Sequence, residues 1–158
     1  MSTPRLGAAM AALTAAFKAS AALPGITITE GNAPSAAGDP EFIIVGHDGT
    51  LEADGSLAEF TTSGTFTSQF VAEGQPPLAQ EDGSVNVVAV SQTGDQGDLP
   101  GRITEAQRLL SACDDAAKDL HSGDIVFDNA VTGRLLARQS AQGCAALLAF
   151  TITYSSPW

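Results

Sequence analysis

Apolar residues at helical spacing predict a helix near the N-terminus. The stripe recurs at intervals of four, three and four positions and consists of Leu6, Met10, Leu13 and Phe17. Thr3 and Pro4 are typical of a helix cap and first turn, and Pro24 with Gly25 is expected to end the element. The chain is therefore predicted to open on one amphipathic helix.

A second stripe alternates spacings of three and four and predicts another helix. Its apolar members are Ile103, Ala106, Leu110, Cys113, Ala117 and Leu120. Gly123 is expected to stop this helix, because glycine commonly follows the last helical residue. His121 would then lie beside the stop, where a cation suits the helix dipole.

Strand patterns fill the rest of the chain. They fall at residues 26–29, 42–45, 60–71, 85–90, 125–127, 135–139 and 144–154. The segment 60–71 alternates Phe with Thr and Gln, and is predicted to be one strand or a pair of strands, with a bend at Gly64. Alternation from Cys144 to Tyr154 predicts the longest strand of the chain. Long runs of strands interrupted by two helices favour an α+β fold with an N-terminal helix, a mixed, largely antiparallel sheet, a second helix packed on it and a long C-terminal strand. Residues 1–158 are expected to form a single domain.

The charge balance excludes some partners. Eighteen acidic and seven basic residues give a formal net charge of −11, and the basic residues never form a run. Proteins that bind nucleic acid or anionic lipid need clustered Lys and Arg, so neither activity is expected. The apolar run at 144–150 is too short to cross a membrane, and no membrane association is predicted.

The cysteines and the N-terminus leave one alternative open. Cys113 and Cys144 are interpreted as two reduced, buried side chains, but they could form one disulfide in an exported protein. Arg5 and the Ala-rich run behind it loosely imitate a signal peptide, with a small-residue site near Ala21. Export remains the less favoured interpretation.

No catalytic or metal-binding pattern stands out. His47 precedes Asp48 at a strand end, where a turn explains both better than an acid–base pair. Asp95 and Asp98 lie among glycines but lack the alternating carboxylates of a calcium loop. The sequence therefore predicts no enzyme activity, no cofactor and no metal site.

Three segments together carry a resemblance to a known family. The Ala-rich helix is followed by Gly-Ile-Thr-Ile at residues 25–28, and the strand at 43–49 ends in Val-Gly-x-Asp-Gly. The C-terminal half adds Arg102 at the head of a helix, then a strand, Gly133-Arg134-Leu135, Gln139, Gly143 and a long alternating strand through Tyr154. This order resembles the tail terminator, or tail completion, proteins of long-tailed non-contractile bacteriophages, particularly those of actinobacterial hosts.

The resemblance implies a structural subunit of the virion. Members of this family form a six-membered ring that caps the head-proximal end of the tail tube, halts addition of the tube protein and offers a surface to the head-completion or connector protein. DNA would pass through the lumen without specific binding, and the ring would assemble in the host cytoplasm. Head-to-tail contacts around an axis close into such rings.

Two groups of residues are candidates for this role. An acidic lumen would keep DNA sliding, and the acidic candidates for its wall are Asp48, Glu52, Asp54, Asp95 and Asp98. Strand addition between neighbours would use residues around 61–69 or 133–143, with candidates Thr61, Thr65, Thr67, Gln69, Arg134, Leu136 and Arg138. The alternatives are another virion joint, such as a connector or tube subunit, or a small exported or ligand-binding bacterial domain.

Overall fold

A computed structural model describes residues 4–31, 40–72, 78–118 and 120–157 of the chain. Within these ranges the protein has two helices and seven strands, which confirms the predicted α+β class. In chain order the elements are α1 (Leu6–Ala19), β1 (Thr27–Glu30), β2 (Glu41–Val45), β3 (Gly64–Ala72), β4 (Leu78–Thr93), α2 (Leu99–Ala117), β5 (His121–Ser122), β6 (Ile125–Ser140) and β7 (Gly143–Pro157).

All seven strands belong to one sheet. Its order is β1-β2-β4-β7-β6-β5, and β3 pairs with β4 outside this path. β1 and β2 are parallel, whereas the other pairs are antiparallel. β2 pairs with residues 87–91 of β4 and β3 pairs with residues 78–85, so β2 and β3 follow one another along the same side of β4.

One face of the sheet carries both helices and most of the core. Members of both predicted stripes point inward: Leu13 and Phe17 of α1, and Ala106 and Cys113 of α2, have no exposed surface. The fully buried leucine of α2 is Leu109, outside the predicted stripe, whereas the predicted Leu110 is only partly buried. The sheet contributes alternate residues of its central strands to this core, namely Val85, Val87 and Ala89 of β4, and Ala146, Leu148, Phe150, Ile152 and Tyr154 of β7. The face predicted from alternation in the last strand is therefore confirmed. Each fully buried Leu or Phe contributes about 1.5–3 kcal/mol to stability.

The opposite face carries a smaller apolar cluster. Its buried members are Phe42, Ile44, Val88, Val90, Leu147 and Ala149. Because residues 42–45 contribute side chains to both faces, this segment is a central strand, as its continuous apolar run predicts. The second face is covered by residues 46–63 in place of a helix.

The helix boundaries correct two predictions. α1 begins at Leu6 with Arg5 in the cap position, and it ends at Ala19, before Pro24. α2 ends at Ala117, so Gly123 is not its stop. Gly123, with φ of 61°, instead makes the turn between β5 and β6, and His121 lies exposed in β5. Thr3, the predicted cap of the first helix, falls outside the described residues.

Three strand predictions also change. Residues 60–63 precede β3, which begins at Gly64. The separate strands predicted at 125–127 and 135–139 form one strand, β6, with an irregular register between Phe127 and Val131. Both segments pair with β7, and this pairing makes them one continuous strand. The periodicity within each segment does not show that the two are continuous. At 15 residues β7 is slightly shorter than β4 and β6, which have 16 each, so it is not the longest strand.

Candidate functional site

Residues 46–63, which we call the flap, lie on the second face of the sheet. The flap folds back on itself through Ala58 N–H to Thr50 O at 3.0 Å and Glu52 N–H to Ser56 O at 2.7 Å. Gly55, with φ of 86°, makes the turn at the tip, a conformation that favours glycine. These bonds run between two short arms, so the flap is a small, ordered hairpin.

His47 anchors the flap from inside. It is 1% exposed, its Nδ1 accepts the Gly49 N–H at 2.9 Å, and its Nε2 lies 2.9 Å from the carbonyl oxygen of Ala58. Since a carbonyl only accepts, Nε2 carries the proton and the ring is the neutral Nε2–H tautomer. The Nε2–H bond to Ala58 joins the two arms, and the Nδ1 bond fixes the backbone at Gly49 within the first arm.

Asp48 closes the base of the flap. Its Oδ1 accepts the N–H and hydroxyl of Thr50 at 2.9 and 2.5 Å, and its Oδ2 accepts the Thr62 N–H at 3.2 Å. Partial burial works to raise the pKa of this carboxyl, but the hydrogen bonds from Thr50 and Thr62 outweigh it and hold the pKa below its ordinary value. His47 and Asp48 therefore do not form an acid–base pair.

An apolar groove opens between the flap and the sheet. Its volume is 520 Å³, and the side chains along it are mainly apolar: Phe42, Leu51, Leu57, Val90, Leu136 and Leu147. Asp54, Ser56, Gln92 and Arg138 supply its polar positions. The Arg138 guanidinium lies over the tip, because a Cβ placed on Gly55 would come within 3.3 Å of its Nη1.

The sheet has two open edges among the described residues. On one side, β3 pairs with β4 alone and the short β1 pairs with β2 alone. On the other side, β6 beyond Val126 pairs with β7 alone and the two-residue β5 pairs with β6 alone. Three successive antiparallel pairs separate the two edges, so β3 and β6 run in opposite directions. Phe66 on β3 and Leu135 on β6 are 48% and 41% exposed, and their pairing partners place both on the face that carries the helices.

The candidate interface residues share the flap face. Directly paired residues project from the same side of a sheet, and the register places the following strand residues on the side of the flap: Thr65, Thr67, Gln69, Arg134, Leu136 and Arg138. Thr61, the remaining candidate, is half-buried at the end of the flap. Arg134 also contacts the flap, since its Nη2 donates to the Asp48 carbonyl oxygen at 3.1 Å.

The acidic candidates fall into two groups. Asp48, Glu52 and Asp54 belong to the flap, with Asp54 bound to the Ser56 N–H and hydroxyl at its tip. Asp95 and Asp98 lie between β4 and α2, in a loop that contacts the far end of the β6–β7 hairpin through Gln96. Asp98 pairs with Arg102 at 3.2 Å. The five carboxylates therefore belong to two different segments, the flap and the loop before α2.

Two features were not predicted from the sequence. Glu81 on β4 has no exposed surface, and its Oε2 accepts hydrogen bonds from the Tyr154 hydroxyl at 2.7 Å and the Arg5 N–H at 2.8 Å. Its Oε1 has no partner among the described residues. Phe60, in contrast, is 94% exposed. Neither position breaks the local pattern of the sequence, so no sequence signal marks it.

The chemistry of the remaining groups is limited. Cys113 and Cys144 are both buried and free, so the disulfide considered for an exported protein is not formed. Burial raises the pKa of the Cys113 thiol well above its ordinary range. Across the described ranges, no three His, Cys, Asp or Glu side chains lie close enough to hold a metal ion. Neither helix of this part of the chain has the length and apolar character that a membrane span requires.

Comparison with known proteins adds no relative to this picture. No protein-family model matches the chain, and no curated protein matches it significantly.

Proposed function

We propose that this protein is a tail terminator of a long-tailed, non-contractile phage. Six copies form a ring on the head-proximal end of the tail tube, stop its growth and present a joining surface to the head-completion protein. The ring is part of the virion and assembles in the host cytoplasm. It acts through surface contact and not through catalysis, and DNA passes through its bore.

The observation that carries the proposal is the pair of open sheet edges. Placing a second copy beside the first with the same orientation brings β3 of one copy next to β6 of the other. Since these strands run in opposite directions, the contact is antiparallel, like the rest of the sheet that surrounds it. An edge that pairs with a different edge of an identical chain makes a head-to-tail contact, the type that closes into rings.

Exposed side chains on the two edges support the same contact. Phe66 and Leu135 lie on the same face of the sheet, one on each edge, so pairing of β3 with β6 covers apolar surface from both copies. Unpaired edges with exposed apolar residues are usually avoided in monomers because they promote association. In this protein the association is the proposed function.

Size and shape in solution test the ring. Six copies of a 16.0 kDa chain give about 96 kDa, and negative-stain images should show a particle with a central hole. Long tubes from the purified protein would instead identify a tube subunit. A compact monomer at every concentration, even with tail tubes present, would rule the proposal out.

The edge contact is tested separately with charge on β3. Lys on an edge strand disfavours strand addition, so Thr67→Lys should abolish rings. Gln107→Lys is the matched control, because Gln107 is also exposed but lies on α2. If both variants assemble like the wild type, β3 is not the contact.

The acidic bore is tested by reversing the charge of Glu52. DNA does not bind to an acidic wall, whereas a ring with six added Lys residues in its bore should retain duplex DNA in a gel-shift assay. Asp115→Lys on α2 makes the same charge change elsewhere. Equal retention by both rings would show that Glu52 does not line the bore.

A further inference from the structure

Phe60 is the outlier among the exposed apolar side chains. In the described part of the chain, the other large apolar residues with substantial exposure are between 41% and 48% exposed, and Phe60 is 94% exposed. It lies in the flap, two residues before Thr62. The Thr62 N–H donates to the Asp48 carboxylate, and the Asn86 side chain of β4 donates to the Thr62 carbonyl oxygen at 2.8 Å. The aromatic ring is therefore presented to solvent from an ordered support.

The groove lies on another part of the same face. The groove contacts β4 at Val90 and Gln92 and reaches across the sheet to β6, whereas the segment that carries Phe60 is bound to β4 at Asn86, four positions before Val90. Interfaces between proteins commonly place an aromatic side chain in an apolar pocket at their centre. When the aromatic residue of one copy binds the groove of the next copy, two different patches of the same chain meet. Such a contact is head-to-tail.

The charges beside these two features are complementary. Glu59 precedes Phe60 and is exposed, and Arg138 lies at the groove and is also exposed. Neither side chain makes an ion pair within residues 4–31, 40–72, 78–118 and 120–157. With seven basic residues in a chain of net charge −11, a cation at the groove favours an acidic neighbour.

We propose that Phe60 of one copy inserts into the groove of the next copy, with its Glu59 facing Arg138. The occupant of the groove is thus a second copy of this chain. This inference rests on the proposed ring and names the contact that closes it. The two contacts agree in direction, because Phe60 lies four residues before β3, and pairing β3 with the neighbour's β6 carries Phe60 toward the groove that β6 borders.

Two variants with single defects test the insertion. Phe60→Asp removes the aromatic residue but keeps the groove, and Arg138→Glu keeps Phe60 but places a like charge opposite Glu59. Each should weaken self-association roughly 30-fold or more, as expected for a central anchor. Both positions are exposed, so folding should be unaffected. Lys118→Glu makes the charge change of Arg138→Glu at an exposed position just after α2, so it is the control and should leave association unchanged.

Mixing the two variants gives the sharper result. Each variant alone should sediment as a monomer, and an equimolar mixture should contain a one-to-one pair, since one intact Phe60 meets one intact groove. Combining Glu59→Arg with Arg138→Glu in one chain should restore association, because the charges are complementary again. Failure of both the pairing and the rescue would overturn the insertion.

The outcomes separate this inference from the proposed function. Wild-type rings that persist unchanged in Phe60→Asp and Arg138→Glu would overturn the insertion and leave the ring in place. Association that depends on Phe60 but yields open chains or pairs would overturn the ring and leave the insertion in place. A wild-type chain that stays a monomer at all concentrations, with and without tail tubes, would overturn both.

Discussion

Tyr154 donates a hydrogen bond of 2.7 Å from its hydroxyl to the buried carboxylate of Glu81. The same carboxylate oxygen accepts the N–H of Arg5, which precedes the first turn of α1. A carboxylate at a helix N-terminus is stabilised by the helix dipole. One side chain thereby joins β4, β7 and α1 at the end of the core.

Removing the Tyr154 hydroxyl should destabilise the fold. Tyr154→Phe leaves the Glu81 carboxylate buried with one donor fewer, and we expect the free energy of unfolding to fall by about 1–3 kcal/mol. Urea denaturation followed by far-UV circular dichroism measures this change. Thr153→Val removes a neighbouring hydroxyl whose hydrogen bond is exposed and should change stability by less than about 0.5 kcal/mol. Equal losses in both variants would contradict a special role for the Tyr154–Glu81 bond.

The same bond predicts a loss of stability at alkaline pH. Burial, and then the hydrogen bond to Glu81, raise the pKa of Tyr154 above its ordinary value of 10. The pKa of Tyr154 is therefore higher in the folded protein than in the unfolded chain. The stability that this difference contributes is complete below about pH 10 and declines as pH rises beyond that value. The chain has a single Tyr, so phenolate absorbance reports this group alone. Titration near pH 10 in the folded protein, or an equal alkaline decline in Tyr154→Phe, would contradict the prediction.

Gly83 leaves room for the Tyr154 ring. A Cβ at this position would lie 2.5 Å from Cζ and the hydroxyl oxygen of Tyr154. Gly83→Ala should therefore cost about 1–3 kcal/mol of stability through overpacking, measured by thermal or urea denaturation. Gly94→Ala is the matched control, since nothing lies within 4 Å of its Cβ position. A Gly83→Ala protein as stable as Gly94→Ala would show that the ring moves aside freely.

Loss of His47 should release the flap and leave the sheet intact. His47→Ala removes two buried hydrogen bonds, and we expect a loss of about 2–3 kcal/mol together with faster amide exchange across residues 47–58. Hydrogen-exchange mass spectrometry measures both the size and the location of the effect. His121→Ala changes the exposed histidine of β5 and serves as the control. Exchange that rises throughout the sheet to the same extent would contradict a local role for His47.

The two thiols should be inert in the folded protein. Burial raises the pKa of the Cys113 thiol, and the Cys144 thiol is buried and donates to the Gln96 carbonyl oxygen at 3.1 Å. Since the thiolate is the reactive form, a colorimetric thiol reagent should modify neither residue in buffer and both in urea. Rapid modification in buffer would show that the native state opens locally.

Much of the fold is predictable because its elements bury one face each. The stripe of α1 and the alternation in β7 state directly which side chains point inward, and the structure confirms them. The stripe of α2 is confirmed at Ala106, Cys113 and Ala117, but the leucine that it buries fully is Leu109 and not the predicted Leu110. The end of α2 was missed because Gly123 fits a helix stop as well as it fits the β5–β6 turn. The sequence does not predict that β6 is one continuous strand, because its two halves are joined by pairing with β7 and not by a local pattern.

The candidate site is less predictable because long-range contacts create it. The flap has no periodic pattern, since its shape depends on hydrogen bonds from His47 and Asp48 to the backbone. The burial of Glu81 depends on Tyr154, 73 positions away, and its local sequence, Gln-Glu-Asp-Gly, is typical of a turn. The exposure of Phe60 likewise depends on where the flap sits, and its Phe–Thr surroundings predict a half-buried strand residue.

The split of the sheet into a helix-covered and a flap-covered face has a consequence for how such a protein can diverge. Core packing is concentrated on the face that carries the helices, where close contact with α1 and α2 constrains substitutions. The hairpin in front is held mainly by its own hydrogen bonds and touches the scaffold over a small apolar cluster. Insertions or substitutions at the tip of the flap would therefore change which partner it binds, while the sheet and the two helices keep their structure.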